Sequence, residues 1–238
     1  MGAYPVCVSV FNWRRARVCI QLVKNMKVNK IRTLYKNLTA TYGCPATYWP
    51  NWCAQRKSVH DREAIIIGAI LTQRTSWYNA DLAIKNLQAY KLLSIKKIAG
   101  LKNLERLTSL IRPAGFYTTK PRYLYGLCSF IIKECSGVKT LMEKNADAIR
   151  QQLLELYGIG QETADTILLY GLDKPSFIID EYTKKFVRKY KLARTVKYNG
   201  LKRVFETCLP RSYQLFQNFH ALIIIDQKGV EKSRMSKL

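Results

Sequence analysis

Apolar residues recur at three- and four-residue spacing along most of this chain, which is the spacing of one face of an α-helix. The longest such stretch starts at residues 64–72, AIIIGAILT, and continues through Trp77, Ala80, Ala83, Ile84 and Leu87. This pattern predicts one buried helix across both segments, with Gly68 in close contact with another helix. No stretch keeps up the two-residue alternation of a strand, so the predicted fold class is all-α.

Further helices are predicted where start and stop signals flank the apolar stripes. Asn145 precedes a stripe that begins at Ile149, so it is the predicted N-cap. Pro121 falls in the first turn of a helix over 119–135, where a proline is tolerated. Shorter helices are predicted over residues 93–98, 101–111, 161–170, 181–191 and about 200–207, and residues 221–225 form only a short apolar run.

Composition adds a strong basic charge to this picture. The 238 residues are 48% hydrophobic, which is enough for a real core. Lysine and arginine number 40 against 16 acidic residues, a formal charge of +24. Such an excess favours a polyanionic partner, because each cation that meets a phosphate releases a condensed counterion. A lysine-rich codon bias explains the same count, so charge alone leaves both interpretations open.

The cysteines and the N-terminus indicate a chain without metal, membrane or export signal. The seven cysteines include no C-x-x-C pair, and no apolar run approaches the roughly 20 residues that span a bilayer. Residues 1–25 lack the apolar region of a signal peptide and are poorly predicted as a globular segment. We therefore treat them as an N-terminal extension and keep Met26 as an alternative start to Met1.

The turn Gly158-Ile159-Gly160 joins two apolar-periodic segments and is a candidate phosphate-binding hairpin. Glycine allows positive φ and lets a phosphate approach without a Cβ in the way. The following helix adds the positive end of its dipole, so the turn can hold a nucleic-acid backbone without reading its sequence. An ordinary turn between two helices is the alternative.

Asp180 ends the apolar run 177–179 and precedes a helical stripe, so it is also a predicted N-cap. A carboxylate held by backbone N–H groups is rigid and stays ionised. Capping a helix and facing a cleft are therefore compatible roles for this side chain.

Four motifs occur in an order that resembles the helix-hairpin-helix DNA glycosylases of the endonuclease III superfamily. They are L-T-Q-R-T at 71–75, G-F-Y-x-x-K at 115–120, L-Y-G-I-G-Q-E-T-A at 156–164 and I-I-D-E-Y at 178–182. The resemblance runs over residues 45–225 and implies a two-lobed all-α fold. A central six-helix lobe over 55–173 would carry the hairpin, and 26–54 plus 174–238 would form the second lobe.

The resemblance implies that the cleft between the lobes receives a base flipped out of duplex DNA. Asp180 matches the catalytic aspartate, and Gln73 matches the residue that fills the gap in the base stack. Phosphate contacts are also expected along the helix after Asp180, although a solvated basic face explains the same lysines. The expected DNA-binding residues are Gln73, Lys120, Gly158, Ile159, Gly160, Gln161, Thr163, Lys184, Lys185 and Arg188.

Glu162 occupies the position where strand-cleaving members of the family carry a lysine. A glutamate cannot form the imine that leads to strand cleavage, so a monofunctional enzyme with water as nucleophile is expected. Asp180 would then activate the water or stabilise the sugar cation, with Lys174 and Lys184 as alternative sources of an amine. No cysteine follows Cys208, so no iron–sulfur cluster, other cofactor or metal is expected.

Aromatic residues before the central lobe resemble those of the 3-methyladenine DNA glycosylase III branch. An expected base pocket contains Tyr48, Trp49, Pro50 and Lys228, since electron-rich rings attract a cationic alkylated purine. Packing between the lobes, and a solvated lysine near the chain end, are the alternatives for these residues.

The preferred hypothesis is a monofunctional DNA glycosylase of base excision repair that acts on an alkylated purine such as 3-methyladenine. A bifunctional glycosylase and lyase for oxidised pyrimidines, a non-catalytic DNA-binding module and a general RNA-binding protein are the competing hypotheses. The expected partner is double-stranded DNA with a damaged base. The protein is expected to be monomeric, cytoplasmic and associated with the nucleoid.

Overall fold

The computed structural model describes residues 13–193 and 197–229, with side chains from residue 28 onward. All the regular elements within these ranges are helical, which confirms the predicted all-α class. The α-helices there are α1 (Trp13–Tyr42), α2 (Val59–Leu71), α3 (Trp77–Ala89), α4 (Ile95–Ala99), α5 (Glu105–Ile111), α6 (Lys120–Cys135), α7 (Val138–Glu143), α8 (Ala146–Glu155), α9 (Gln161–Thr166), α10 (Glu181–Lys189), α11 (Tyr198–Cys208) and α12 (Tyr213–Lys228).

Two apolar cores organise these helices. The first lies among α2–α9 and contains fully buried residues such as Ile70, Leu87, Leu127 and Ile149. Each such side chain stabilises the fold by about 1.5–3 kcal/mol relative to an exposed position. This lobe contains eight α-helical segments when short helices such as α4 and α7 are counted as separate elements.

The second core combines both ends of the described chain. It packs α1 against α10–α12 and against the π-helical turn Ile167–Gly171, which continues α9. Phe177 stacks on Phe205 with ring centroids 4.2 Å apart, and Phe219 closes on both rings edge-on. The segment before residue 55 and the segment after residue 174 therefore share one core.

The predicted continuous helix through residues 64–87 is wrong, because it breaks between α2 and α3. Ser76 starts α3 as an N-cap whose hydroxyl accepts a hydrogen bond from the backbone N–H of Asn79. Arg74 adopts a left-handed conformation with φ of 49°, which ends the preceding helix. Gly68 makes the predicted close contact with another helix, since the Ile84 side chain of α3 is 3.4 Å from where a Cβ would lie, and the Trp52 ring is nearer still, at 2.9 Å.

Other local predictions have mixed outcomes. Asn145 caps α8 by accepting hydrogen bonds from Asp147 and Ala148, and Pro121 lies in the first turn of α6, as predicted. Residues 221–225 are part of the sixteen-residue helix α12 rather than a short run. Helix α1 already begins at residue 13, inside the expected N-terminal extension, and residues 1–12 lie outside the described part.

A buried charged cluster joins the two lobes at Asp173. Its carboxylate accepts hydrogen bonds from Lys57 Nζ at 2.8 Å and from Arg62 at 2.6 Å. Gln217 of α12 donates to the same carboxylate at 3.2 Å. Residues from both lobes thus converge on one acid at the point where the chain leaves the first lobe.

No helix within the described residues is long and apolar enough to cross a membrane.

Candidate active site

Asp180 begins α10 and lies in the wall of a cavity between the lobes. Its Oδ1 accepts a 2.7 Å hydrogen bond from the backbone N–H of Thr183, which confirms the predicted N-cap. The side chain is only 13% exposed. Burial by itself raises the pKa of Asp180, but the nearby His220 and the Thr183 N–H together bring that pKa below its ordinary value. The carboxylate is therefore ionised at neutral pH.

The cavity beside Asp180 has a volume of about 320 Å³. This lies near the lower end of the range of about 300–1,000 Å³ that is typical of small-molecule sites. Its walls combine aromatic rings with a few polar groups, and both lobes contribute. The lining residues are Trp49, Trp52, Cys53, Thr72, Thr75, Ser76, Trp77, Glu162, Thr166, Tyr170, Ile178, Asp180, Tyr182, His220, Ile224 and Lys228.

Three tryptophans form a connected aromatic wall. Trp52 packs edge-on against Trp77 at 5.2 Å between ring centroids, and Trp49 approaches Trp77 at 6.5 Å. Trp52 also contacts the ring of Tyr170 at 5.5 Å. The wall therefore extends from the start of α3 to the end of the first lobe.

The structure does not place Tyr48 and Pro50 among the cavity-lining residues, which corrects the expected pocket. Tyr48 is buried in the second core, and its hydroxyl donates to the carbonyl of Tyr42 at 3.3 Å. Pro50 is exposed. Successive residues around the short 3₁₀ turn before this segment point in different directions, so only Trp49 of the three reaches the cavity.

Lys228 lies in the cavity wall with its ammonium 5.5 Å from the centre of the Tyr182 ring. Burial lowers the pKa of Lys228, while the charge of Asp180 acts in the opposite direction. Such a lysine joins a cation to an aromatic ring directly beside the candidate catalytic acid.

Glu162 is a second carboxylate of the cavity. It is exposed to solvent on one side, yet the surrounding protein removes enough hydration to raise its pKa, and Asp180 adds to this rise. The pKa values of the two acids are thus moved apart, which is a common arrangement at sites that use carboxylates.

Lys174 and Lys184 are not among the cavity-lining residues. The amine of Lys174 donates to the carbonyls of Met142 and Lys144 at 2.9 and 2.6 Å. Lys184 pairs with Glu181 at 2.6 Å. Both amines therefore have protein partners outside the cavity lining.

The glycine hairpin is braced from behind by aromatic and amide side chains. Gly158 has φ of 86°, and a Cβ there would overlap the ring of Tyr123. The Gln73 amide donates to the Gly158 carbonyl at 3.0 Å and to the Thr163 hydroxyl at 2.9 Å. Gln73 thus supports the hairpin, while Gly160 is exposed on the opposite side.

The remaining hairpin residues divide between core and surface. Ile159 and Thr163 are buried, at 6% and 7% exposure, and offer no side chain to a ligand. Gln161 is half-buried, and its carbonyl accepts a hydrogen bond from the Tyr198 hydroxyl at 3.2 Å. Contacts with a nucleic-acid backbone are thus left to the main chain at this turn.

Lys120 is not a DNA contact, which corrects the prediction. The side chain is 1% exposed, and its amine donates to the carbonyls of Leu71 and Ala114 at 2.8 Å each. Burial lowers the pKa of Lys120 to about 8. The lysine of the G-F-Y-x-x-K motif therefore ties the ends of two helices together.

Phe116 is a surface feature that the sequence interpretation missed. Its ring is 51% exposed beside the hairpin support, with the Arg74 guanidinium 5.6 Å above it. The backbone is left-handed at Phe116, with φ of 48°, and also at Gly115. A large exposed ring on a strained loop points to a binding role, and an exposed aromatic after a glycine was the available signal.

The basic helix α10 presents only part of its predicted charge to solvent. Lys185 and Arg188 are exposed. Lys184 is engaged by Glu181, as described above, and Lys189 pairs with Asp226 at 3.1 Å. Lys185 and Arg188 are thus the stronger candidates for phosphate contacts next to Asp180.

Within residues 28–193 and 197–229, no group of three or more His, Cys, Asp or Glu side chains could hold a metal ion.

A glycine hairpin, a buried N-cap carboxylate and an aromatic cavity together define the helix-hairpin-helix class of DNA glycosylases. The family model described as "HhH-GPD superfamily base excision DNA repair protein" matches residues 67–211. The chain therefore belongs to this superfamily and is a DNA glycosylase.

Individual relatives agree with this assignment. A candidate DNA repair glycosylase of Methanocaldococcus jannaschii, MJ1434, is 38% identical over 205 residues, which cover 85% of this chain and 89% of the relative. The H. pylori 3-methyladenine DNA glycosylase MagIII, solved with 1,N6-ethenoadenine, has a TM-score of 0.68 at 26% identity, covering 88% and 99% of the two chains. An endonuclease III–DNA complex shares the fold, with a TM-score of 0.63 at 17% identity and coverage of 83% and 84%.

Proposed function

We propose that this chain is a monofunctional DNA glycosylase that hydrolyses the N-glycosidic bond of a flipped-out alkylated purine such as 3-methyladenine. The observation that carries the proposal is the ionised Asp180 carboxylate in the wall of a tryptophan-lined cavity. The likeness to the 3-methyladenine glycosylase of H. pylori supports the same substrate class.

The cavity chemistry suits a cationic base. An alkylated purine carries positive charge, and each aromatic face attracts it by about 0.5–2 kcal/mol. Asp180 and Glu162 add negative potential to the same cavity. Because a cationic base is already a good leaving group, the site needs charge complementarity more than it needs a strong proton donor.

Asp180 is the group that we assign to the reaction itself. Thr183 fixes one carboxylate oxygen, so the second is available to a water molecule or to the sugar. Positive charge grows on the deoxyribose as the bond breaks, and a fixed anion stabilises that charge. The same oxygen can take a proton from the attacking water.

DNA would lie across the hairpin and α10. The exposed main chain at Gly160 and the cations Lys185 and Arg188 are placed for phosphates. Gln73 contacts the hairpin, and the exposed ring of Phe116 lies against the neighbouring Arg74, so either side chain could act as a wedge in the space of the extruded nucleotide. These contacts grip the strand without reading its sequence.

A bifunctional enzyme is the second candidate, and one observation favours it. Lys228 is a cavity-lining amine whose pKa is lowered by burial, so it could in principle attack a sugar. Borohydride treatment during base release separates the two candidates. The monofunctional proposal predicts no covalent adduct with duplex DNA, whereas an adduct that is lost in Lys228→Met would establish the bifunctional one.

The proposal is tested with duplex oligonucleotides that each carry one lesion, with base release and strand scission measured separately. Asp180→Asn should reduce base release by about 10²–10⁴-fold, because asparagine still caps the helix but cannot act as a base or anion. DNA affinity should change little. Glu181→Gln is the matched control, since it alters an exposed neighbouring acid and should leave release intact.

Two outcomes would contradict the proposal. Wild-type protein that binds damaged duplexes but releases no base from any lesion would support a non-catalytic DNA-binding module. Release that is confined to oxidised pyrimidines would contradict the alkylated-purine assignment while leaving Asp180 as the catalytic residue.

A further inference from the structure

His220 is a buried histidine to which the sequence interpretation assigned no role. It belongs to α12, is 5% exposed and lies in the wall of the cavity. Its Nδ1 is 2.9 Å from the hydroxyl of Tyr170, and its Nε2 is 3.5 Å from Oδ2 of Asp180. The imidazole therefore stands between the aromatic wall and the candidate catalytic acid.

The hydrogen bond from Tyr170 determines which ring nitrogen carries the proton. The Tyr170 hydroxyl has one proton and two acceptors within reach, His220 Nδ1 at 2.9 Å and the Gln217 carbonyl at 3.4 Å. The shorter contact is the better hydrogen bond, so the hydroxyl donates to Nδ1. In a neutral imidazole the other nitrogen, Nε2, then carries the hydrogen and directs it at Asp180.

Nε2 is a buried polar atom with no hydrogen-bond partner within bonding distance. Such an atom is costly to leave unsatisfied, which favours a closer approach to a nearby acceptor. The Oδ2 atom of Asp180 is that acceptor, since Oδ1 is already held by the Thr183 N–H. Hydrogen bonds at active sites are often long before the substrate arrives and shorten in the reacting complex.

We propose that His220 is a positioning residue for base release: with its tautomer set by Tyr170, the imidazole donates from Nε2 to Asp180 Oδ2 and holds that carboxylate towards the cavity. This inference rests on the proposed function for its catalytic meaning, but its structural part does not. Trp52 contacts Tyr170, so the chain of contacts Trp52, Tyr170, His220 and Asp180 links the base-stacking wall to the acid.

Several titratable groups surround this pair and enter any pH dependence. Glu162 faces it from α9 and Tyr182 from α10. Lys228 faces it from α12, the helix that contains His220, and Cys53 from the segment after α1. Asp180 and His220 interact directly. The pKa that the acid limb of the rate profile reports therefore belongs to the two residues together and not to either one alone.

The first experiment needs no enzymatic activity. The chain contains two histidines, so the ¹⁵N spectrum of histidine-labelled protein has two sets of imidazole signals, from His60 and His220. The neutral imidazole of His220 should be the Nε2–H tautomer. Tyr170→Phe should admit a detectable share of the Nδ1–H tautomer, because the Asp180 contact alone then holds the proton on Nε2, while the exposed His60 stays unchanged. A His220 signal from the Nδ1–H tautomer or from a mixture in the wild type would overturn the proposal.

The second experiment measures base release under single-turnover conditions for His220→Gln and His220→Leu. Glutamine can still donate to Asp180, so its rate should stay within a few-fold of wild type. Leucine cannot donate, and the rate should fall by about 10- to 100-fold, the effect of losing a hydrogen bond to a charged group. Equal rates in the two variants, at equal DNA affinity and thermal stability, would show a purely structural role and overturn the proposal.

The pH profile gives a readout that a packing role would not move. His220 helps to lower the pKa of Asp180 against the effect of burial, so its removal leaves burial to raise that pKa. Base release needs the ionised acid, and the acid limb for His220→Leu should therefore move to higher pH. An acid limb at the wild-type pH would count against the proposal. If the wild type released no base, the proposed function would fail, and the tautomer measurement would still decide the role of Tyr170.

Discussion

Trp77 is the ring of the cavity wall whose contribution to substrate preference is most directly testable. It contacts both other tryptophans of the cavity wall, whereas its neighbour Tyr78 is 58% exposed on the outer side of α3. Adjacent residues on a helix face different directions, so only one of the two can meet a base. The stacking contribution can therefore be measured against a control one residue away.

We predict that Trp77→Ala lowers kcat/KM for a cationic alkylated purine by about 2- to 30-fold, the equivalent of losing one cation–π contact. A neutral lesion such as an ethenoadenine should lose less, because the charge-dependent part of the attraction is absent. Steady-state base release from the two substrates measures this difference. Tyr78→Ala serves as the control and should leave both rates unchanged, and an equal loss for both substrates would contradict charge-selective stacking.

Single residues also mark the limit of what the sequence can predict. Asp180 is identifiable because an acid between an apolar run and a helical stripe is the local pattern of a helix N-cap. The burial of Lys120 and Tyr48 is not predictable in this way, because a lysine in a basic chain and a tyrosine beside a tryptophan look like surface groups. The role of His220 depends on Tyr170, fifty residues earlier, and no local pattern records such a distance.

At the scale of elements, the hairpin contains two glycines with different structural requirements. Gly158 needs a positive φ and lies against the Tyr123 ring, whereas Gly160 has φ of −90° and nothing within 4 Å of the position that a Cβ would occupy. The first is therefore required by the fold, and the second leaves room for an approaching backbone. Substituting each by alanine separates these roles.

We predict that Gly158→Ala lowers the free energy of unfolding by about 1–3 kcal/mol, as an overpacked position in a left-handed conformation does. Gly160→Ala should leave stability nearly unchanged and weaken DNA binding, because its methyl group would stand where a phosphate approaches. Urea unfolding and fluorescence anisotropy with duplex DNA measure the two quantities. Equal stability of the two variants would refute the distinction.

Helix α10 has an equally direct test of its DNA contacts. Replacing Lys185 or Arg188 by glutamine should reduce the slope of log affinity against log salt by about one, since one phosphate contact is lost. The single-turnover rate of base release should not change. Lys189→Gln is the matched control, because that lysine is already paired with Asp226. An unaltered slope for Lys185 and Arg188 would remove the helix from the DNA interface.

Elements with strong local signals are predicted well from sequence alone. The caps at Asn145 and Asp180 need only the residue and the stripe that follows, so both are identifiable. The break between α2 and α3 escapes prediction because the apolar spacing continues across it, and only the left-handed Arg74 and the Ser76 cap interrupt it. The length of α12 escapes prediction for the opposite reason, because polar residues interrupt its apolar stripe.

At the scale of the molecule, the Asp173 cluster is a charged connection between the lobes. Lys57 has a side chain that is 1% exposed, so its ammonium depends on this carboxylate for compensation. Breaking a buried pair on one side costs more than the pair itself contributes, because an unpaired charge remains. Stability and the geometry of the cavity between the lobes should therefore change together.

We predict that Asp173→Asn destabilises the protein by about 2–4 kcal/mol, somewhat less than for a fully buried pair because Asp173 keeps 16% exposure. Asparagine tolerates the left-handed backbone at this position, so the effect reports on charge. Denaturant unfolding measures it. The control Asp81→Asn breaks an exposed pair with Lys85 and should leave stability nearly unchanged. Similar losses of stability for both variants would show that the Asp173 cluster stabilises the protein no more than an exposed ion pair does.

Helix α1 has a consequence for the way this protein is made. Its side chains meet the C-terminal helices through Arg32, which donates to the carbonyl of Cys208, and through Tyr42, which donates to Asp226. During synthesis α1 leaves the ribosome before its partners in α11 and α12, which follow more than 170 residues later. The first lobe can fold while translation continues, but the cavity cannot close until α12 has been synthesised, because His220, Ile224 and Lys228 belong to its wall. A nascent chain that lacks α12 would therefore carry the glycine hairpin and Asp180 without the closed cavity beside them.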